Sequence, residues 1–150
     1  MYKLIAEAES RVHSQPVSEV HFHEVGARDA VADVVAVCLL LRELSPDADS
    51  ASAVCAGFAQ LRCAHGLLPV PAPATALLLE GIPTFGGTIE GEVCTPTGAA
   101  LLTQLAHAFA GLLLLRVERT GCALGTKATP RQIALAPSWG KALRGLALTC

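Results

Sequence analysis

Positive charge is scarce in this chain of 150 residues: eleven Lys and Arg stand against thirteen Asp and Glu, a formal net charge of −2, and no basic run occurs. Nucleic acid is therefore not expected as a partner, because no stripe of cations is available to neutralise phosphates. Aromatics are equally few, 4% of residues against 52% hydrophobic, so the core has to be built from Ala, Leu and Val. The six cysteines, Cys38, Cys55, Cys63, Cys94, Cys122 and Cys150, include no C-x-x-C pair. That spacing fits reduced cytosolic thiols better than a disulfide framework or a structural zinc site. No apolar run reaches the length of a membrane span, and no charged N-terminal region precedes an apolar stretch, so a soluble, cytoplasmic protein is expected. Walker A, the dinucleotide-binding glycine fingerprint and the serine nucleophile elbow are all missing.

What is present is concentrated in residues 21–44, HFHEVGARDAVADVVAVCLLLREL. If residues 19–23 are extended, the period of two places His21 and His23 on one face, where two imidazoles can converge on one ion. Gly26 permits a sharp change of direction. A helix predicted over about 27–44 then carries Asp29 in its first turn and Asp33 one turn later, stacked at i and i+4 near the positive end of the helix dipole. From Val34 to Leu41 this helix is apolar all round, which predicts a buried central element. Glu24 completes the polar cluster.

Leu4, Ile5, Ala8 and Val12 recur at helical spacing and predict a first helix over 2–13 that Pro16 ends. It starts without a capping preamble, as in a piece of a larger unit. One or two short strands are read around Gly57, and Cys63 and His65 share a face if their segment is extended. Prolines 69, 71 and 73 form a stiff strap leading into a helix over about 73–80. Strand character returns over 88–94. Thr95-Pro96-Thr97-Gly98 then opens a helix predicted over 96–109, with Thr95 as N-cap and Pro96 at the first helical position. The free N–H groups of that turn, two threonine hydroxyls and a glycine that lets a ligand approach suit a phosphate or carboxylate. Further strands are expected over 112–118, 132–136 and 146–149, a loop over 121–130, and Trp139 in a polar turn. Length fits one compact domain over 1–150, mixed in class, with α/β and α+β both open. The central helix is expected to pack on a mixed sheet.

Three motifs in order, HFHEVGARDAVADVV, CAHGLLPVPAPAT and GEVCTPTGAALL, resemble the nickel-insertion proteins of LarC type. The resemblance implies a CTP-dependent nickel chelatase, of the lyase class, that completes the nickel-pincer nucleotide cofactor of lactate racemase. It inserts nickel into a sulfur-bearing pyridinium mononucleotide precursor, with Mg or Mn accompanying CTP. The residues themselves offer the candidates for such sites: His21, His23, Asp29 and Asp33 for the metal, His23, Glu24 and Asp33 for catalysis, and His65, Thr95, Thr97 and Gly98 for the mononucleotide. The resemblance also implies an upstream segment and a C-terminal nickel and CTP domain beyond the region seen here, so that this chain supplies the central part of the N-terminal region. Three departures stand out: the glycine-rich strand before CAHG reads AGFAQLR, the later glycine loop reads GCALGTKAT without its acid, and APSWGKALRG lacks the expected asparagine.

A domain that binds the precursor and a divalent ion is therefore the leading expectation. The alternative is a non-catalytic assembly or scaffold domain of the same family, whose apolar face packs on the missing domain or on a second copy. A metal-dependent hydrolase using His and Asp ligands is a third reading.

Overall fold

The computed structural model describes residues 1–20, 28–63, 66–111, 114–124, 134–135 and 137–142. The chain divides into two compact units, Met1–Ala110 and Gly111–Cys150. In the first, α1 (Tyr2–His13) and a 3-10 turn (Val17–Glu19) precede α2 (Arg28–Leu44). Short strands follow: β1 (Ser50–Ala51), β2 (Val54–Cys55), β3 (Gly57–Phe58), β4 (Gln60–Cys63) and β5 (Gly66–Pro69). Next come α3 (Pro73–Leu78), β6 (Thr84–Phe85), β7 (Gly91–Glu92), α4 (Pro96–Leu105) and β8 (Ala108–Phe109). The second unit holds β9 (Leu115–Thr120), β10 (Ala123–Leu124), β11 (Ala134–Leu135) and β12 (Ser138–Ala142).

The fold is mixed α and β, and its strand pairing is of both senses. β1 with β8 and β2 with β6 are parallel, whereas β3 with β7 and β4 with β5 are antiparallel. Parallel neighbours need a crossover, and the helices between them supply it. The core lies where α3 and α4 cover these strands: Val54, Leu79, Cys94 and Ala99 form one cluster, flanked by Leu78, Ile82, Leu102 and Phe109. A second cluster joins Ile5 of α1 to Ala100 of α4, with Leu78 bridging the two. Fully buried Ala99 and Ala100 are adjacent on α4, and their small side chains let α4 contribute to both clusters. In the second unit β9 and β12 pair antiparallel with a bulge between Trp139 and Gly140. A Cβ on Gly140 would overlap the Arg116 carbonyl oxygen, so only glycine permits that approach.

Four expectations need correction. The helix at 28–44 forms where predicted, but it is not buried: Val34 is 6% exposed, while Val31, Val35, Leu39, Leu40 and Leu44 are 43–62% exposed. Apolar composition states what a helix can bury, and the packing of this chain covers only part of it. The helix predicted over 96–109 stops at Leu105, because Ala108 and Phe109 leave it to pair with β1. Trp139 lies in β12, not in a polar turn, and is 36% exposed. The loop predicted over 121–130 holds β10, which pairs with β11. The strand expected over 146–149 falls outside the described residues, and no helix among those described is long and apolar enough to cross a membrane.

Candidate functional site

Thr95 is the N-cap of α4, in extended conformation, and its Oγ1 accepts the Gly98 N–H at 3.3 Å. The Ala99 N–H donates to the Thr95 carbonyl at 2.9 Å. Pro96 has no N–H. Of the first-turn donors that capping must satisfy, the Thr97 N–H is therefore left open among the described residues, beside the half-buried Thr97 hydroxyl. Gly98 has no packing reason to be glycine: a Cβ there would meet Thr95 Oγ1 at 3.6 Å and Cys94 Sγ at 3.9 Å, ordinary contact. Thr95, Thr97 and Gly98 thus share one helix start, where Thr95 is exposed and Thr97 and Gly98 are half-buried.

Ala56, 2% exposed, ties this helix start to the strands. Its N–H donates to the Phe85 carbonyl at 2.9 Å, and its carbonyl accepts the Val93 N–H at 3.0 Å. The carboxyl ends of parallel β2 and β6 are therefore joined to the segment that enters α4. Gly57 has φ +91°, and a Cβ on it would overlap the Gly91 carbonyl oxygen, so the two backbones meet with no side chain between them. Gly87, at φ +72°, closes the turn after β6 against Cys55, whose thiol donates to the Gly86 carbonyl at 3.7 Å. Phe58 and Phe85 stand at this rim, 44% and 51% exposed. Sequence reasoning passed over both; the signal was an aromatic beside glycine in AGFA and again in TFGG.

Cys94, at the entry to α4, is 7% exposed. Burial first, then the Glu92 carboxylate and the Cys55 thiol, push its own thiol up to about 11. It is a neutral core thiol at physiological pH.

The metal cluster predicted around 21–33 is only partly in view. His21, His23 and Glu24 lie outside the described residues, as do the Asp29 side chain and His65. The backbone of Asp29 falls in the first turn of α2 and that of Asp33 one turn later, as the spacing requires, and Asp33 is exposed. Cys63, the predicted companion of His65, is half-buried at the end of β4, opposite Gly66. Among the described residues no three His, Cys, Asp or Glu side chains converge to hold an ion. A separate pair escaped prediction: Asp49 accepts both the backbone N–H and the ring Nδ1–H of His107.

Comparison with known proteins bears on this arrangement. Several relatives carry the name pyridinium-3,5-bisthiocarboxylic acid mononucleotide nickel insertion protein. That of a Nocardioides species is 46% identical over 125 residues, 83% of this chain and 32% of the relative. That of Desulfitobacterium hafniense is 41% identical over 127 residues, 85% and 32%. That of Geobacillus kaustophilus is 39% identical over 132 residues, 88% and 32%. The chain spans about a third of the length of these relatives. No solved structure matches it. The family model of the nickel insertion protein covers residues 1–138, and the chain belongs to that family.

Proposed function

We propose that this chain is the part of a nickel insertion protein that holds the pyridinium mononucleotide while nickel is delivered to it. The observation that carries the reading is the start of α4: one open N–H, one open hydroxyl and a glycine without a packing role, set beside the carboxyl ends of β2 and β6. Ligands of α/β folds sit outside such strand ends, with phosphate at a helix N-terminus. Thr97 donates to the phosphate, Gly98 leaves room for it, and Thr95 holds the turn in shape; His65 is assigned to the same ligand.

Nickel is the cargo. In this reading His21, His23, Asp29 and Asp33 hold it, and His23, Glu24 and Asp33 act in the transfer. These are nitrogen and oxygen donors of borderline and hard character, whereas a bisthiocarboxylate offers sulfur, which a late first-row ion prefers. Transfer from this chain to the substrate therefore runs toward the stronger ligands. The CTP-consuming step, with Mg or Mn, belongs to the part of the relatives that this chain does not span, and completion of the lactate racemase cofactor in the cytoplasm belongs to the whole protein. Calorimetric titration of the precursor into wild-type protein and Thr97→Val tests the substrate site. Binding weakened in the variant supports the reading, and no binding by wild type overturns it.

A second reading is favoured by one observation, the exposed Val31, Val35, Leu39, Leu40 and Leu44 of α2. Such a face fits an assembly domain that packs on the remainder of the protein or on a second copy. Concentration-dependent self-association without affinity for the precursor or nickel would select it.

A further inference from the structure

We propose that Phe58 and Phe85 form an aromatic platform that takes the cationic pyridinium ring of the mononucleotide, an assignment that rests on the substrate reading above. Aromatic side chains are rare here, four Phe, one Tyr and one Trp. Phe109 packs against the core, as a large apolar ring ordinarily does. Phe58 and Phe85 instead stand about half exposed at the same rim.

Their proximity follows from the glycines between them. A Cβ on Gly86 would lie 3.7 Å from Phe58 Cβ, and one on Gly87 would lie 3.8 Å from Phe85 Cε2. The 86–87 turn therefore borders both residues. Where a Cβ on Gly91 would stand there is nothing within 4 Å, so the backbone next to Phe58 in the β3–β7 pair is open on that side. The rim lies at the carboxyl ends of β2 and β6, and the Ala56 hydrogen bonds connect it to the entry of α4. A mononucleotide with its phosphate at Thr97 can then extend its ring toward this surface.

Charge selects the kind of ring. Phe58 is bridged to Glu90, an exposed acid, so the platform has an anionic neighbour. A pyridinium carries its positive charge within a flat ring, and the faces of phenyl groups attract such a cation while a nearby carboxylate adds to the attraction. A neutral pyrimidine gains stacking without that charge component.

The test uses nicotinic acid mononucleotide as the pyridinium probe, with ribose 5-phosphate and uridine monophosphate as comparators, titrated into wild type, Phe58→Leu, Phe85→Leu and Phe85→Tyr. Both leucine variants are expected to bind the pyridinium probe about five- to thirty-fold more weakly, with ribose 5-phosphate unchanged and Phe85→Tyr close to wild type. Unchanged affinity of the leucine variants for the pyridinium probe overturns the platform while leaving the phosphate site intact. So does an equal loss for ribose 5-phosphate, or uridine monophosphate binding as tightly as the pyridinium with the same dependence on the two rings. Wild type that binds neither the pyridinium probe nor ribose 5-phosphate overturns the substrate reading itself.

Discussion

Asp49 holds His107 twice: one carboxylate oxygen accepts its backbone N–H at 2.7 Å and its ring Nδ1–H at 2.5 Å. The two residues immediately precede the parallel pair Ser50 and Ala108, so the contact fixes the register of β1 against β8. It also marks where the chain turns out of α4. Burial raises the Asp49 pKa, but the hydrogen bonds and charge of His107 outweigh it and the net shift is downward.

A carboxyl whose folded pKa is depressed contributes stability that is present above its unfolded value and is lost as pH falls through the folded one. Asp49→Ala is expected to lower stability at pH 7 by about 1–2 kcal/mol, the scale of a charge-assisted hydrogen bond. The difference from wild type should shrink as pH drops below about 4, the ordinary carboxylate range. Urea unfolding of both proteins at pH 7 and at acid pH measures it.

Gly98→Ala should separate stability from binding. Alanine in place of a helical glycine stabilises by up to about 1 kcal/mol, and the added Cβ meets only Thr95 Oγ1 and Cys94 Sγ at ordinary distances. If Gly98 exists to admit a phosphate, the same change weakens mononucleotide binding. Thermal unfolding and calorimetry on one preparation should move in opposite directions, and a variant that is more stable with full affinity would remove Gly98 from the site.

Thr75 is fully buried, and among the described residues its hydroxyl has no hydrogen-bond partner. Burying a hydroxyl without a partner is costly, so Thr75→Val, of nearly the same shape, is expected to be neutral or to stabilise by about 1 kcal/mol. A clear loss in denaturant unfolding would show that the hydroxyl has a role.

On α2, Val35→Lys and Leu40→Lys should change stability by no more than about 0.5 kcal/mol, because both side chains stand in solvent. Any self-association seen by sedimentation in wild type should fall in these variants. A large loss of stability in the monomer would contradict the exposure of this face.

The starts of α3 and α4 were legible because their punctuation is chemical. Thr95 and Pro96 announce the start of α4, Pro73 that of α3, and Gly81 and Pro83 the break before β6. The end of α4 was not legible, since it depends on Asp49 capturing His107 from 58 residues away. Burial of α2 was misread for a related reason: its sequence records how apolar the helix is, and only the packing decides that Val34 is covered while Leu40 is not. Most strands here are two residues long, too short for any alternation to register. The TPTG helix start was found because an N-cap threonine and an N1 proline carry their geometry with them. Phe58 and Phe85 carry no local mark of exposure, since a lone Phe beside small residues suits core and surface alike.

Nickel handling by this chain is tested most directly by calorimetric titration of nickel into the reduced protein, with the double variant His21→Ala/His23→Ala beside it. Wild type is expected to bind saturably, and the binding to be lost in the variant and to weaken in acid, since imidazole must be neutral to ligate. No heat in wild type, or equal binding in both proteins, would contradict nickel handling by the His21–Asp33 segment.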